Sequence, residues 1–308
     1  MNDLEKRFSY YPSADEIDAW ASSLWLNATQ ELFTAEILPD NGVRPHFGYG
    51  YSMPSFRYVR FQRGNSQPFY GYWQSPVSLP APLIVNLPGY GAEMMMMPEL
   101  VAQGYAVLHI NPQGYMTPQG ELSSLRNETG IWPVLPDTAL GKENAGYREW
   151  LSDAVAAVRW AMSAAQVHPD RVSFIGSSQG GGTALLLGSL FKNHGVRCVC
   201  ADIPFLTNYP LADFRGAYRE LKLPFQKVGE PTAWRRMGFV DTLSHAHRLT
   251  MPVFLTSGGK DDVCPPETIA SLFDKLPGTR SLSHIIGLIH ISSQEFLAQA
   301  AAWLRLYA

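Results

Sequence analysis

Val172-Ser173-Phe174-Ile175-Gly176-Ser177-Ser178-Gln179-Gly180 reads as a short apolar strand that turns sharply into an apolar helical segment. A turn that lifts a serine off the carboxyl end of a strand needs glycine where a Cβ would clash. Ser178 is therefore the candidate nucleophile. The same turn points backbone N–H groups from the start of the helix at the space where an oxyanion would form. Taken alone, the pattern also fits a flexible Gly/Ser turn before a helix, so its weight depends on the strand, the helix and the partner residues. Ser177 is expected to point away from the reaction centre and to pack.

Outward from this turn, the sequence after Pro80 alternates continuous apolar runs with helical stretches. The runs are Leu83-Ile84-Val85-Asn86-Leu87 and residues 106–110, 172–175, 196–201, 253–256 and 282–286. Strands without polar alternation are those buried on both faces, as in a parallel sheet. Between them, residues 147–165 carry Leu151, Ala154, Val155, Val158 and Met162 on one helical stripe, the face that should lie on the sheet, with Trp150 and Trp160 flanking it. These strand-helix-strand units predict an α/β fold: one domain over residues 1–308 with an open, mostly parallel central sheet flanked by helices. Ligands then collect at the carboxyl ends of the strands.

Residues 1–80 are aromatic-rich and broken by proline and glycine. They predict one amphipathic helix over about 15–24 and antiparallel leading strands over 56–62 and 69–74. Residues from about 203 to 240 break the rhythm, with Pro204, Pro210, Pro224 and Pro231 among Phe205, Tyr209, Phe214, Tyr218, Phe225 and Trp234. This stretch is too long for a simple connection and too aromatic for a linker. It is read as a helical insertion capping the site, with extra core packing as the alternative. Met94 to Met97 is expected to start a helix.

With 308 residues, 46% hydrophobic and 17% charged, the chain can bury a large core. A net charge of −3 gives no general attraction to nucleic acid or to anionic lipid. The start, Met1-Asn2-Asp3-Leu4-Glu5-Lys6-Arg7, lacks the basic-then-apolar order of a secretory leader, and no apolar run is long enough to span a bilayer. A cytoplasmic location is expected. Cys198 and Cys200, two apart on a predicted strand, read as buried thiols, and Cys264 reads as a small apolar loop residue without metal-ligand spacing around it.

A serine hydroxyl is a poor nucleophile until a base takes its proton, and that base must be held in one tautomer by a third group. The predicted strand 253–256 is followed by Ser257-Gly258-Gly259-Lys260-Asp261-Asp262-Val263-Cys264-Pro265-Pro266, and the last predicted strand by Leu288-Ile289-His290. Ser, Asp, His is the order of an α/β-hydrolase. His290 is the candidate base, while His46, His109, His168, His194, His245, His247 and His284 read as packing or surface residues. Of the adjacent acids, Asp261 is favoured over Asp262, since neighbouring loop side chains diverge. Asp202 reads as a loop cap, although its place after the run 196–201 makes it a rival. One oxyanion donor is the N–H of Gln179; the second should come from Leu87-Pro88-Gly89-Tyr90-Gly91, with Tyr90 N–H preferred and its ring lining an acyl pocket. No metal or organic cofactor is called for.

With these residues placed, the chain resembles the acetyl xylan esterase and cephalosporin C deacetylase family, carbohydrate esterase family 7, within the α/β-hydrolase superfamily. The resemblance runs from about Phe56 through Pro88-Gly89-Tyr90-Gly91, Gly176-Ser177-Ser178-Gln179-Gly180-Gly181-Gly182, Ala201-Asp202-Ile203-Pro204-Phe205-Leu206 and Asp261-Asp262-Val263-Cys264-Pro265-Pro266. It implies that Asp261 is the triad acid and that the backbone of Tyr90 and Gln179 forms the oxyanion hole. It also implies deacetylation of small acetylated sugars and related alcohols, and a homo-oligomer, often a hexamer of two trimers. Two positions depart from the family: Asn111-Pro112-Gln113 stands where Arg-Gly-Gln is usual, and His290-Ile291 where His-Glu is usual. The expected reaction is hydrolysis of a small-molecule acyl ester. Alternatives are a broad-specificity carboxylesterase, a thioesterase or peptidase on the same scaffold, and a binding protein without turnover.

Overall fold

The computed structural model describes residues 2–39, 56–90 and 97–308; His46, Gly91 and Met94 to Met96 lie outside them. The strands are β1 (Phe33–Ile37), β2 (Arg57–Arg63), β3 (Phe69–Gln74), β4 (Ala81–Leu87), β5 (Ala106–Asn111), β6 (Met116–Thr117), β7 (Gly120–Glu121), β8 (Val167–Ser177), β9 (Val196–Asp202), β10 (Val253–Gly258) and β11 (Arg280–Ile285). Nine of them form one sheet in the order β1-β2-β3-β5-β4-β8-β9-β10-β11, while β6 and β7 make a separate ribbon. The leading strands pair antiparallel up to the β3–β5 contact. From β5 through β4 to β11 every pairing is parallel.

The apolar runs are continuous because both faces of this sheet are covered. Leu83, Val85 and Leu87 of β4, with Phe174 of β8 and Val199 of β9, enter a core shared with the helices Gly146–Met162 and Gln179–Leu190. The alternate residues Ile84, Ile175, Cys198, Cys200 and Phe254 enter a second core under Phe296, Ala300 and Leu304 of the helix Gln294–Tyr307. All three cysteines are free and buried, as expected. On the helix Gly146–Met162, Leu151, Ala154, Val155 and Val158 are fully buried. Trp150 is buried with them rather than flanking the stripe, while Trp160 does flank it, edge-on to Phe61 at 5.4 Å.

The predicted N-terminal helix runs Ala14–Gln30, opened by a capping box in which Ser13 and Glu16 satisfy each other's backbone N–H groups. The insertion is helical, with Tyr209–Ala212, Gly216–Leu221, Lys222–Val228 and Glu230–Gly238. Its aromatic side chains do not line a substrate pocket. Phe205, Tyr218, Phe225 and Trp234 are buried and pack on one another, with ring centres 4.6 Å apart for Phe205–Tyr218 and 4.5 Å for Phe225–Trp234. The packing is there because short helices that pack mainly on other helices need their own core. The insertion meets the site from beside it, where Ala217 N–H donates to Val263 O at 3.1 Å. Among the described residues no helix is long and apolar enough to cross a membrane.

Candidate active site

The carboxyl ends of β8, β10 and β11 deliver the three predicted residues to one place. Ser178 follows β8 directly and takes φ 55°, ψ −120°, a conformation that L side chains rarely adopt. The surroundings hold it there: its N–H donates to Asp202 O at 2.9 Å, and its carbonyl accepts from Gly182 N and Phe205 N at 3.1 and 2.9 Å. The flanking glycines are required by contact. A Cβ on Gly176 would lie 2.4 Å from the backbone of Gly180, and one on Gly180 would lie 2.2 Å from Leu87 O.

His290, in the loop beyond β11, bridges the other two. Its Nε2 is 2.9 Å from Ser178 Oγ and its Nδ1 is 2.9 Å from Asp261 Oδ2. The second carboxylate oxygen, Oδ1, accepts from Val263 N at 2.9 Å and Cys264 N at 2.8 Å, which fixes the direction of the acid. Cys264 itself is a core residue, as its sequence setting suggests. The Asp261 side chain is 0% exposed, whereas neighbouring Asp262 faces solvent, so the two acids diverge as anticipated.

Gln179 is the first residue of the helix Gln179–Leu190, where an N–H has no intrahelical partner. Tyr90 stands beyond β4 on the rim of the pocket that contains Ser178 and His290. That pocket encloses about 370 Å³ and takes its apolar lining from Leu87, Ile175, Ile203, Ile291 and Phe296. The Tyr90 ring lines it, and its hydroxyl donates outward toward Glu220 Oε2 at 3.4 Å and Trp132 O at 3.5 Å. Burial pushes the Glu220 carboxyl up to about 7.

Two readings from the sequence change. Ser177 makes a polar contact rather than simply packing, donating from Oγ to Asp202 Oδ2 at 2.8 Å. Asp202 is neither a surface loop cap nor the partner of His290 Nδ1; it is 0% exposed at the end of β9. Two other histidines are buried in the fold. His109 stacks on Tyr72 at 5.0 Å, where burial lowers its pKa to about 3, and His245 is held by Ser189 and Phe239 O at 2.8 and 3.0 Å.

Sequence reasoning missed the brace behind the loop after β5. Arg63, 4% exposed, donates to Asp153 at 2.9 Å, to Glu31 at 2.6 Å and to Glu149. Asp153 in turn accepts from Gln113 N at 3.1 Å, and Gln113 Nε2 donates to Gly146 O at 3.0 Å. Burial pushes the Asp153 carboxyl up to about 7, an effect that Arg63 and Gln113 oppose. Thus the loop after β5 is held, through Asp153 and Gln113, by an arginine from β2. A polar cleft of about 500 Å³ surrounds this cluster and does not contain the Ser178–His290 pair. Among the described residues, no group of three or more His, Cys, Asp or Glu could hold a metal ion.

Comparison with known proteins bears on the family and the fold. The model of the family described as acetyl xylan esterase (AXE1) matches residues 25–306. Acetyl xylan esterase 1 from Thermoanaerobacterium sp. JW/SL YS485 is similar in structure, with TM-score 0.77 and 20% identity over 100% of this chain and 99% of that one. An acetyl xylan esterase from Paenibacillus sp. R4 gives 0.74 and 19%, with 100% of both chains covered. An acylaminoacyl peptidase from Pyrococcus horikoshii shares the fold at TM-score 0.57 and 16% identity, over 83% of this chain and 42% of its own.

Proposed function

The chain belongs to the acetyl xylan esterase family and is an ester hydrolase; from that premise we propose that Ser178 is its nucleophile, His290 its general base and Asp261 the group that orients the base. One observation carries the assignment: a single imidazole lies 2.9 Å from both the serine hydroxyl and the buried carboxylate. Ser178 Oγ attacks the ester carbonyl while His290 Nε2 takes its proton. Asp261 accepts from Nδ1–H, which selects the tautomer whose Nε2 is free to act as base. The oxyanion faces the N–H groups of Gln179 and Tyr90. His290 then returns the proton to the leaving alcohol, and water repeats the sequence on the acyl-enzyme.

The substrates proposed are small acetylated sugars and related short-chain acyl esters, with cephalosporin C among them by family likeness. A pocket of about 370 Å³ with an apolar lining supports short acyl groups over long ones. Ile291 puts an apolar side chain on its rim. A homo-oligomer is part of the same reading, tested by light scattering on the purified protein.

The decisive test is Ser178→Ala, which should abolish hydrolysis of p-nitrophenyl acetate and labelling by a fluorophosphonate while leaving the melting temperature unchanged. Full turnover in that variant would sink the assignment. Rates on acetyl, butyryl and octanoyl esters should fall in that order, and acetylated xylo-oligosaccharides tested beside peptide amides separate the deacetylase from a peptidase.

A further inference from the structure

We propose that Asp202 is a positioning residue of this esterase, whose one buried carboxylate ties the segment that carries Ser178 to the strand that leads to Asp261, beside His290. The proposal rests on the triad reading above. It begins from the sheet: β9 lies between β8 and β10, and its last residue, Asp202, is in register with Ser177, the last residue of β8.

Two segments of the site send a hydroxyl donor to this carboxylate. Ser177 Oγ, beside the nucleophile, donates to Oδ2 at 2.8 Å. Thr256 Oγ1, on the strand that leads to Asp261, donates to Oδ1 while accepting from Ile203 N at 3.0 Å. Ser292, two residues past His290, is a further hydroxyl that helps hold the Asp202 pKa down. The Asp202 carbonyl also accepts from Ser178 N at 2.9 Å. A carboxylate that only accepts matches these hydroxyl donors, and one left without them in a fully buried position would be costly. Burial pushes the Asp202 pKa up, and the three hydroxyls and His290 pull it back.

The arrangement has a chemical consequence. When His290 takes the Ser178 proton, the imidazolium has two carboxylates near it: Asp261 on Nδ1, and Asp202 acting through space. Asp202 does not touch the reacting atoms, so its effect is on where Ser178 and His290 sit and on how readily His290 carries charge.

The test uses the full chain and compares Asp202→Asn, Ser177→Ala and Asp261→Asn for kcat and KM on p-nitrophenyl acetate across pH, with melting curves. Asp202→Asn should lower kcat by about ten- to a hundredfold with KM nearly unchanged, the scale of a small misplacement of reacting groups. The acidic limb of its kcat/KM profile should move to lower pH, because the site loses a negative charge. Ser177→Ala keeps the charge and cuts one tether, so it should lower kcat without moving that limb. Wild-type kcat and pH profile in Asp202→Asn would overturn the proposal. So would a loss equal to that of Asp261→Asn, which would make Asp202 the triad acid itself. Should Asp202→Asn not fold, unchanged kcat in Ser177→Ala overturns the idea on its own. Turnover retained by Ser178→Ala removes the triad reading instead, so the two failures are distinguishable.

Discussion

Gly180→Ala tests whether the elbow works by contact. The new Cβ would meet Leu87 O at 2.2 Å, Pro88 O at 2.8 Å and Leu87 C at 2.9 Å, all of them backbone atoms. To bring the 2.2 Å contact out to even 3.0 Å, the elbow and the end of β4 must separate by about 0.8 Å. Those two pieces are the ones that carry the proposed oxyanion donors, Gln179 N–H and Tyr90 N–H. A gap of that size between donors, which act on charge that develops only in the transition state, should lower kcat by about 10²- to 10³-fold with little change in KM. Stability should fall less, since overpacking costs about 1–3 kcal/mol while alanine is favoured over glycine in a helix by about 1 kcal/mol. The assay is initial rates on p-nitrophenyl acetate with calorimetric melting of the same samples. Gly287→Ala is the control, because a Cβ there meets nothing within 4 Å. A kcat for Gly180→Ala within about threefold of wild type would refute the contact argument.

Two further predictions concern buried charge. Arg63→Ala leaves Asp153, 2% exposed, without its cation, and should cost about 3–5 kcal/mol, or roughly 5–10 °C in Tm at pH 8. Asp153 already sits near 7, above the ordinary 3.8, and loss of Arg63 pushes it higher. Stability from a raised carboxyl is present below its unfolded value and lost as pH rises through the folded one, so the Tm deficit should shrink at pH 5.5. A deficit that does not vary with pH would count against this. Glu220, raised from 4.5 to about 7 by burial, follows the same sign. Glu220→Gln should melt with wild type near pH 4.5 and above it at pH 8; equal Tm at both values would show that Glu220 carries no buried charge.

The parallel half of the fold was legible because its strands are covered on both faces, and that forces unbroken apolar runs such as Leu83 to Leu87. β1 was not, since an edge strand with a half-exposed pattern from Phe33 to Ile37 leaves no such run. The insertion was legible as helical, and of its two readings, capping the site or packing a core, its aromatic side chains serve the second. Aromatic content reports that a segment has something to bury against, and Phe225 with Trp234 satisfies that within the insertion itself. Asp261 was preferred over Asp262 because neighbouring loop side chains diverge and because the family resemblance points to it, whereas the link from Asp202 to Thr256 depends on β9 lying between β8 and β10, an order that spacing along the chain does not dictate.

Arg63 lies between these cases. On β2 the alternation puts Val59, Phe61 and Arg63 on one face, and all three are buried. An arginine on the apolar face of a strand must find carboxylates, because its charge cannot be removed by deprotonation. On the helix Gly146–Met162, Glu149 and Asp153 are four residues apart and so share a face. Two periodicities, 2 for the strand and 3.6 for the helix, thus present one unpaired cation and two acids with compatible spacing. The contact between them spans 90 residues for Asp153, and only the packing of that helix across the sheet brings it about. Residues that act from strand ends can be read from order and local turns alone. Those that hold the strand ends in place become readable when a charge appears on a face whose period says it should be buried.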